Sequence, residues 1–144
     1  MIIADTNVVS EFMKDSPHPA VLAWAERLSA SELTICVVTV EEIERGIGLL
    51  PTGRRRRELQ RRWAALVDGF AETIVPYDLA ASRQTASVLV AAHATGRPMS
   101  LADAQIAGIC LSGTLTLATR NIADFAAVDG LAVVNPFSAG PANY

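Results

Sequence analysis

Four acidic residues, Asp5, Glu42, Asp103 and Asp124, lie where a predicted strand or helix begins or ends. The carboxyl ends of neighbouring parallel strands meet at one edge of a sheet, so we expect these carboxylates to converge there. Converging carboxylates repel one another unless a divalent cation lies between them. Because no His or Cys accompanies them in the pattern, oxygen-only ligation indicates Mg²⁺, with Mn²⁺ as the other candidate.

A metal site of this kind suits phosphoryl chemistry. A bound divalent cation activates a water molecule and screens the charge on a phosphate during in-line displacement. One of the acids could orient or deprotonate that water. Short polar side chains next to the acids could hold the carboxylates in place, and the candidates are Thr6, Asn7, Thr119 and Asn121.

Helix capping offers a simpler explanation for each acid taken alone. Asp5 could cap the helix that follows it. Three segments, Thr39–Glu42, Ser100–Asp103 and Asn121–Asp124, resemble capping boxes, in which a small polar residue precedes an acid by three positions. For any single acid we favour the cap over a catalytic role. Capping does not explain why several acids should meet at one sheet edge, and the two roles are compatible because a helix N-terminus favours an ionised carboxylate.

Asp103 is the least expected of the four acids. Ile106, Ala107 and Cys110 follow it at helical spacing, so Asp103 lies on the apolar stripe of its helix. An acid on such a stripe is costly unless something pairs with it. This position therefore indicates a partner, which a cation would supply.

The elements that must position these residues alternate between strand and helix. This order predicts an α/β domain whose central parallel sheet is covered on both faces. Residues 1–137 form a single predicted domain, and residues 138–144 form a loose tail. Predicted strands span 1–4, 33–38, 73–75, 115–118 and 131–134; predicted helices begin after 7 and at 19, 39, 54, 79, 100 and 122.

The composition excludes several classes of protein. The chain has 144 residues, 51% of them hydrophobic, which suits one domain with a real core. Its net charge of -3 means that a nucleic-acid binder would need a local basic patch. Neither a signal peptide nor a membrane span is recognisable. We therefore expect a cytoplasmic protein in which Cys36 and Cys110 are buried thiols rather than a disulfide.

One local basic patch is present, in the segment Arg54–Arg62 with six arginines. Leu59 and Trp63 give this segment an apolar face, so we favour the solvated side of an amphipathic helix as its explanation. The alternative is contact with an RNA backbone. The candidates for such contact are Arg54, Arg55, Arg56 and Arg61.

Taken together, the acids and their settings resemble those of the PIN-domain nucleases, and more narrowly the VapC-type toxins of bacterial toxin–antitoxin systems. The matching stretches carry all four acids and end in a short Asn-Pro-Phe motif. They cover residues 4–11, 38–47, 100–107, 117–125 and 135–137. Each motif is weak alone, but their order and spacing along nearly the whole chain are specific.

The resemblance implies a three-layer α/β/α fold and Mg²⁺- or Mn²⁺-dependent endonucleolytic hydrolysis of RNA. It also implies a homodimer that is inhibited by a cognate antitoxin, which the arginine segment could contact. Carried over position by position, the acidic site comprises Asp5, Glu42, Asp103 and Asp124, with Thr119 and Asn121 in the polar part of the fourth motif. Asp124 is the position that varies most in the family, and it could act through water.

Two further acids need to be assigned. Glu41 would project about 100° away from Glu42 around the helix, so Glu42 is the expected site residue. Glu11 lies about one helical turn beyond Asp5, and we expect it to face solvent or the antitoxin.

Other functions fit the sequence less well. A PIN-fold module that binds nucleic acid or protein with little catalysis would be favoured by an incomplete acid set, whereas this set looks complete. A phosphoryl-accepting receiver domain needs a late Lys, but Lys14 is the only Lys. An aspartyl phosphatase needs a second Asp where Asn7 stands. No motif identifies which RNA would be cleaved.

Overall fold

The computed structural model describes residues 1–138, which form four strands and seven helices. The predicted tail lies, apart from Ser138, outside the described residues. The strands are β1 (Ile2–Ala4), β2 (Leu33–Thr34), β3 (Thr116–Ala118) and β4 (Val133–Val134). The helices are α1 (Thr6–Glu11), α2 (Pro19–Glu26), α3 (Val37–Gly48), α4 (Arg54–Phe70), α5 (Leu79–Ala94), α6 (Leu101–Gly113) and α7 (Ile122–Phe125).

The sheet is entirely parallel, with strand order β2-β1-β3-β4. Ile3 pairs with Thr34 on one side and with Leu117 on the other. From β1 the chain reaches β2 on one side and later β3 on the opposite side. The order therefore reverses between β1 and β3, and ligands of open α/β sheets bind outside the carboxyl ends of such strands. Asp5 and Thr119 are the first residues beyond those two ends.

Helices cover both faces of this sheet. Successive strand residues point to opposite faces. Ile3 and Leu117 face a cluster completed mainly by α5, α6 and α7. Their neighbours Ala4 and Ala118 face a second cluster completed by α1, α2, α3 and α4. The result is the predicted three-layer α/β/α arrangement.

Helices α5 and α6 approach each other unusually closely, and this contact fixes the start of α6. Gly108 faces α5, where an added Cβ would lie 2.1 Å from Thr85 Oγ1 and 2.7 Å from Ala81 O. Thr85 Oγ1 lies 2.9 Å from Ala81 O on its own helix and 3.3 Å from Ala104 O on α6. Ala104 directly follows Asp103, so this hydroxyl contact helps to hold the acid in position.

The prediction of a strand at residues 73–75 is wrong. Val75 makes a single parallel bridge with Cys36, with Val75 N donating to Ile35 O at 3.0 Å. The pairing stops there because Pro76 has no N–H to donate to the ladder. Thr73 is instead tied to the sheet by side chains, since its Oγ1 lies 2.8 Å from Thr34 Oγ1.

The second predicted strand is too long, and the helix after it begins earlier than expected. Strand β2 ends at Thr34, and α3 begins at Val37 rather than at Thr39. The β-branched Val37 and Val38 favour a strand locally. They are helical because the amphipathic segment that buries Ile43 and Ile47 extends back to Cys36, whose backbone is extended and forms the N-cap.

Both cysteines are free thiols in the core, as predicted. Burial is the main cause that raises the pKa of the Cys36 and Cys110 thiols, that of Cys110 to about 12. The helices of residues 1–138 include none with the length and apolar character needed to cross a membrane.

Candidate active site

Asp5 is both a helix cap and the centre of the acidic site. It follows β1, is only 4% exposed, and forms the N-cap of α1. Its Oδ1 accepts a hydrogen bond from Thr6 N at 2.8 Å, and its Oδ2 accepts one from Thr119 Oγ1 at 2.7 Å. Its own N–H donates to Ala118 O at 2.8 Å, which ties it to the end of β3. The capping role predicted for Asp5 is therefore confirmed.

Thr119 and Asn7 connect the ends of β1 and β3. Thr119 is fully buried, and its Oγ1 accepts a hydrogen bond from Asn121 N at 3.1 Å. Asn7 Nδ2 lies 3.4 Å from both Thr119 Oγ1 and Asp5 Oδ2, while Asn7 Oδ1 accepts from Arg120 N at 3.0 Å. Two of the predicted supporting residues, Asn7 and Thr119, thus contact each other. Asn121 joins them through its backbone, and its side chain does not cap α7.

Glu42 reaches the site from α3. Its Oε1 accepts a hydrogen bond from Thr6 Oγ1 at 3.0 Å. Burial raises the pKa of Glu42, the hydrogen bond from Thr6 opposes this, and the nearby charges of Asp5 and Asp103 raise the pKa further. Glu41 points elsewhere, as expected, and forms an exposed ion pair with Arg45 at 2.8 Å.

Asp103 enters the site from the first turn of α6. Its N–H donates to Ser100 Oγ at 3.2 Å, so Ser100 caps this helix as predicted. Burial raises the pKa of Asp103, the hydrogen bond with Ser100 opposes this, and the charges of Asp5 and Asp124 raise it further. Asp124 itself is exposed at the start of α7. The mutual influence of the four carboxylates places them in one acidic cluster.

Two of the predicted capping boxes are wrong. Thr39 lies within the first turn of α3 and is fully buried near Cys36, with 3.8 Å between Oγ1 and Sγ. Asn121 precedes α7, but its side chain makes no capping hydrogen bond. Capping therefore does not account for the positions of Glu42 and Asp124, which makes their approach to the other acids more significant.

The donor set of this cluster is that of a hard cation, because all its ligands are carboxylate oxygens. Within residues 1–138, however, no group of three or more His, Cys, Asp and Glu side chains is arranged as a finished metal site. Thr119 donates a hydrogen bond to Asp5 Oδ2, and Thr6 donates one to Glu42 Oε1. Burial is the main cause of the raised pKa values of Glu42 and Asp103, and the charges of the neighbouring acids raise them further. A divalent cation would relieve this second contribution. Metal ligation by the four acids stays a prediction.

A cleft of about 750 Å³ extends from the acidic cluster along α5. Asp103 and Asp124 stand in its wall, together with Gln84, Ser87 and Arg97. No sequence pattern predicts this cleft, because the Ala-rich α5 carries no chemical motif. Its volume is within the range of small-molecule sites, and its lining is polar near the acids.

The arginine segment forms the exposed side of α4, as we favoured. Its apolar side packs Trp63 and Leu59 into the core. Arg62 donates to Met13 O at 2.7 Å and pairs with Asp15, so it has a structural role. The other arginines of the segment are exposed or half-buried, and their contact with RNA or an antitoxin stays a prediction; they are Arg54, Arg55, Arg56, Arg57 and Arg61.

The prediction that Glu11 faces solvent or an antitoxin is wrong. Glu11 is only 6% exposed. Its carboxylate accepts hydrogen bonds from His18 N and Lys14 Nζ, both at 2.9 Å. The hydrogen bond with Lys14 is the main cause that lowers the pKa of Glu11. The loop directly after α1 folds back over this acid, which helical spacing alone does not reveal.

Comparison with known proteins identifies the family of this chain. The PIN-domain model matches residues 2–131, so the chain belongs to the PIN-domain family. Within that family it is similar to VapC ribonuclease Y4jK of Sinorhizobium fredii, with 36% identity over 138 residues, covering 95% of this chain and 98% of that protein. It is 33% identical to Toxin FitB of Neisseria gonorrhoeae over 138 residues, which cover 95% of this chain and 99% of that protein.

The fold comparison gives the same family. The structure of FitAB bound to an IR36 DNA fragment matches with a TM-score of 0.88 and 32% identity, covering 98% of this chain and 99% of that one. The PIN-like fold and the resemblance to VapC-type toxins are therefore confirmed.

Proposed function

We propose that this protein is a metal-dependent endoribonuclease and the toxin of a type II toxin–antitoxin pair. The observation that carries the proposal is the meeting of Asp5, Glu42 and Asp103 at the carboxyl edge of the sheet, with Asp124 beside them. The similarity to a VapC ribonuclease and to Toxin FitB supports both the reaction and the biological role.

The four acids are the residues that would hold Mg²⁺, or Mn²⁺ in its place. Such an ion supplies water activation and neutralisation of charge on the scissile phosphate. Thr119 and Thr6 fix the orientation of Asp5 and Glu42 before any ion arrives, since each hydroxyl donates to one carboxylate oxygen. This arrangement reduces the reorganisation needed on binding.

Glu42 is the group that we assign to accept the proton of the attacking water. The hydrogen bond from Thr6 holds this carboxylate in place at the site, where a carboxylate can accept such a proton. Thr6 occupies Oε1, and Oε2 makes no hydrogen bond within residues 1–138. That oxygen is the one available to the water.

An antitoxin and a second copy of the chain are the proposed protein partners. FitAB, whose structure on a DNA fragment matches this fold, supports a partner of the antitoxin kind. Co-expression with the product of the neighbouring open reading frame, followed by purification, tests this. We expect the two proteins to purify as a stable complex and the growth inhibition by the toxin to disappear. Purification of the toxin without its neighbour would contradict the pairing.

The central test is the substitution Asp5→Asn. Asn keeps an oxygen that can accept the capping hydrogen bond from Thr6 N, so the fold should still form. Its amide nitrogen cannot accept from the Thr119 hydroxyl, so the free energy of unfolding should fall by about 1.5–3 kcal/mol. The charge is lost, so Mg²⁺-dependent RNA cleavage and growth inhibition should disappear. Asp68→Asn, at an exposed position of α4, is the matched control and should cleave like the wild type.

The outcomes separate the two functions that the sequence left open. Full cleavage by Asp5→Asn would refute the site. A wild-type protein that binds RNA or a partner but never cleaves would favour the binding module. Asp124→Asn gives a finer test, because this exposed acid should contribute to metal affinity without supporting the fold; unchanged Mg²⁺ affinity in calorimetry would remove it from the ligand set.

A further inference from the structure

The Asn-Pro-Phe motif that ends the matching stretches has no part in the acidic cluster. It follows β4, and Asn135 Oδ1 accepts a hydrogen bond from Phe137 N at 3.0 Å. This local turn, formed by a side chain that replaces a backbone acceptor, fixes the path of the chain. The turn places the half-buried Phe137 ring beside the residues that follow β3.

Phe137 supports the side chain of Arg120. The Arg120 guanidinium carbon lies 4.7 Å from the centre of the Phe137 ring, a cation–π distance. The His18 ring meets the same Phe137 ring edge-on, with 5.5 Å between centroids. The Arg120 backbone is also fixed, since its N–H donates to Asn7 Oδ1 at 3.0 Å. Both ends of Arg120 are therefore held, one of them by a residue of the acidic site.

Arg120 keeps its charge available, and its backbone lies at the edge of the acidic site. It directly follows Thr119, which donates to Asp5. Within residues 1–138, the ion pairs involve other cations, and Arg120 pairs with no carboxylate. A loosely held arginine near several acids would pair with one of them. Stacking on Phe137 opposes this and leaves the N–H donors of the exposed guanidinium free.

We propose that Arg120, supported by Phe137, binds a phosphate of the RNA strand next to the scissile one. The inference rests on the proposed ribonuclease function. Four carboxylates and one divalent cation would leave the site negative, so an RNA strand needs a fixed positive group at its border. Guanidinium groups bind phosphate with two parallel hydrogen bonds. The position beside Thr119 favours RNA over a carboxylate of an antitoxin.

The salt dependence of RNA binding tests the role of Arg120. The probe is a fluorescein-labelled single-stranded RNA of mixed sequence, bound in the presence of EDTA so that no cleavage occurs. Losing one phosphate contact in Arg120→Ala should reduce the slope of log K against log salt by about 0.7. Arg120→Lys should keep most of the slope. Arg27→Ala, at the opposite end of α2 from His18, is the control and should leave the slope unchanged.

A second variant separates the charge from its support. Phe137→Leu keeps an apolar side chain but removes the ring face, so RNA binding should weaken about two- to fivefold. The salt slope should remain near that of the wild type, because the charge is still present. A merely structural role of Phe137 would lower thermal stability without this weakening of RNA binding.

The outcomes distinguish this inference from the proposed function. If Arg120→Ala binds RNA with the affinity and salt slope of the wild type, the inference about Arg120 is overturned and the proposed function is not. The same result with lost antitoxin binding would assign Arg120 to the protein partner instead. No measurable RNA binding or cleavage by the wild type would overturn both proposals.

Discussion

Replacing Thr119 by Val tests whether the fold prepares the acidic site before a metal binds. The Thr119 hydroxyl donates to Asp5 Oδ2 at 2.7 Å and accepts from Asn121 N at 3.1 Å. Val has nearly the same shape as Thr, but its side chain can neither donate nor accept a hydrogen bond. The substitution therefore removes the hydrogen bond while leaving little cavity, and it leaves one oxygen of a buried acid with a weaker set of partners.

The expected loss of stability follows from the nature of that hydrogen bond. Asp5 is only 4% exposed, so water cannot readily replace the Thr119 hydroxyl. Hydrogen bonds to charged groups contribute about 1.5–3 kcal/mol. The free energy of unfolding should fall by that amount, which corresponds to roughly 3–12 °C in Tm for a domain of this size. Thr119→Ser keeps the hydroxyl and should lose no more than about 1 kcal/mol for the missing methyl group.

Urea unfolding and an RNA-cleavage assay over a range of Mg²⁺ concentrations provide the two measurements. Residues that hold a ligand in place typically change metal affinity or activity about 10–100-fold when removed. Thr119→Val should show that loss at Mg²⁺ concentrations that saturate the wild type, and Thr119→Ser should not. Reduced stability with unchanged cleavage would refute the positioning role, and unchanged stability would refute the reasoning about the hydrogen bond itself.

Three other predictions concern packing, charge and pH. Gly108→Ala should destabilise the fold by about 1–3 kcal/mol, because its Cβ would meet the backbone of α5; Gly69→Ala, with no atom within 4 Å of its Cβ, should not, as urea midpoints will show. The raised pKa of Glu42 means that the native state keeps this proton to higher pH than the unfolded chain does. In EDTA, wild-type stability should therefore fall relative to Glu42→Gln as pH rises above the ordinary 4.5, and parallel pH profiles in urea titrations would contradict this. Replacing Arg55 and Arg56 by Gln should reduce the salt slope of RNA binding, whereas an equal slope would leave α4 a solvated surface.

The sequence predicts most elements of the fold because their signals are local. The apolar runs before Asp5 and Thr119 become neighbouring strands, and α5 and α7 begin at their predicted residues. The errors arise where the residues that follow a segment override its local strand preference. Val37 and Val38 are helical because of the amphipathic segment after them, and residues 73–75 make only one bridge because Pro76 ends the pairing.

The site shows the same division between local and distant information. That Asp5 ends a strand is visible from its neighbours. Thr119 lies 114 positions further along the chain and donates to Asp5 only because β1 lies next to β3. No local sequence pattern predicts that pairing. The prediction for Glu11 is wrong for a different reason, since the loop directly after α1 brings His18 N to its carboxylate. The support of Arg120 by Phe137 likewise depends on the pairing of β3 with β4.

Capping and metal binding use the same atoms at Asp5, so they do not compete as explanations. Thr6 N holds Oδ1 and the Thr119 hydroxyl holds Oδ2. Each carboxylate oxygen can accept a further interaction, so a capped and buried Asp5 can still bind a cation. The hydrogen bonds that begin α1 therefore also orient the ligand, which explains why stability and metal affinity should change together when Thr119 is replaced. Asp103 follows the same logic, because Ser100 caps its helix through the Asp103 N–H while Asp103 itself lines the cleft.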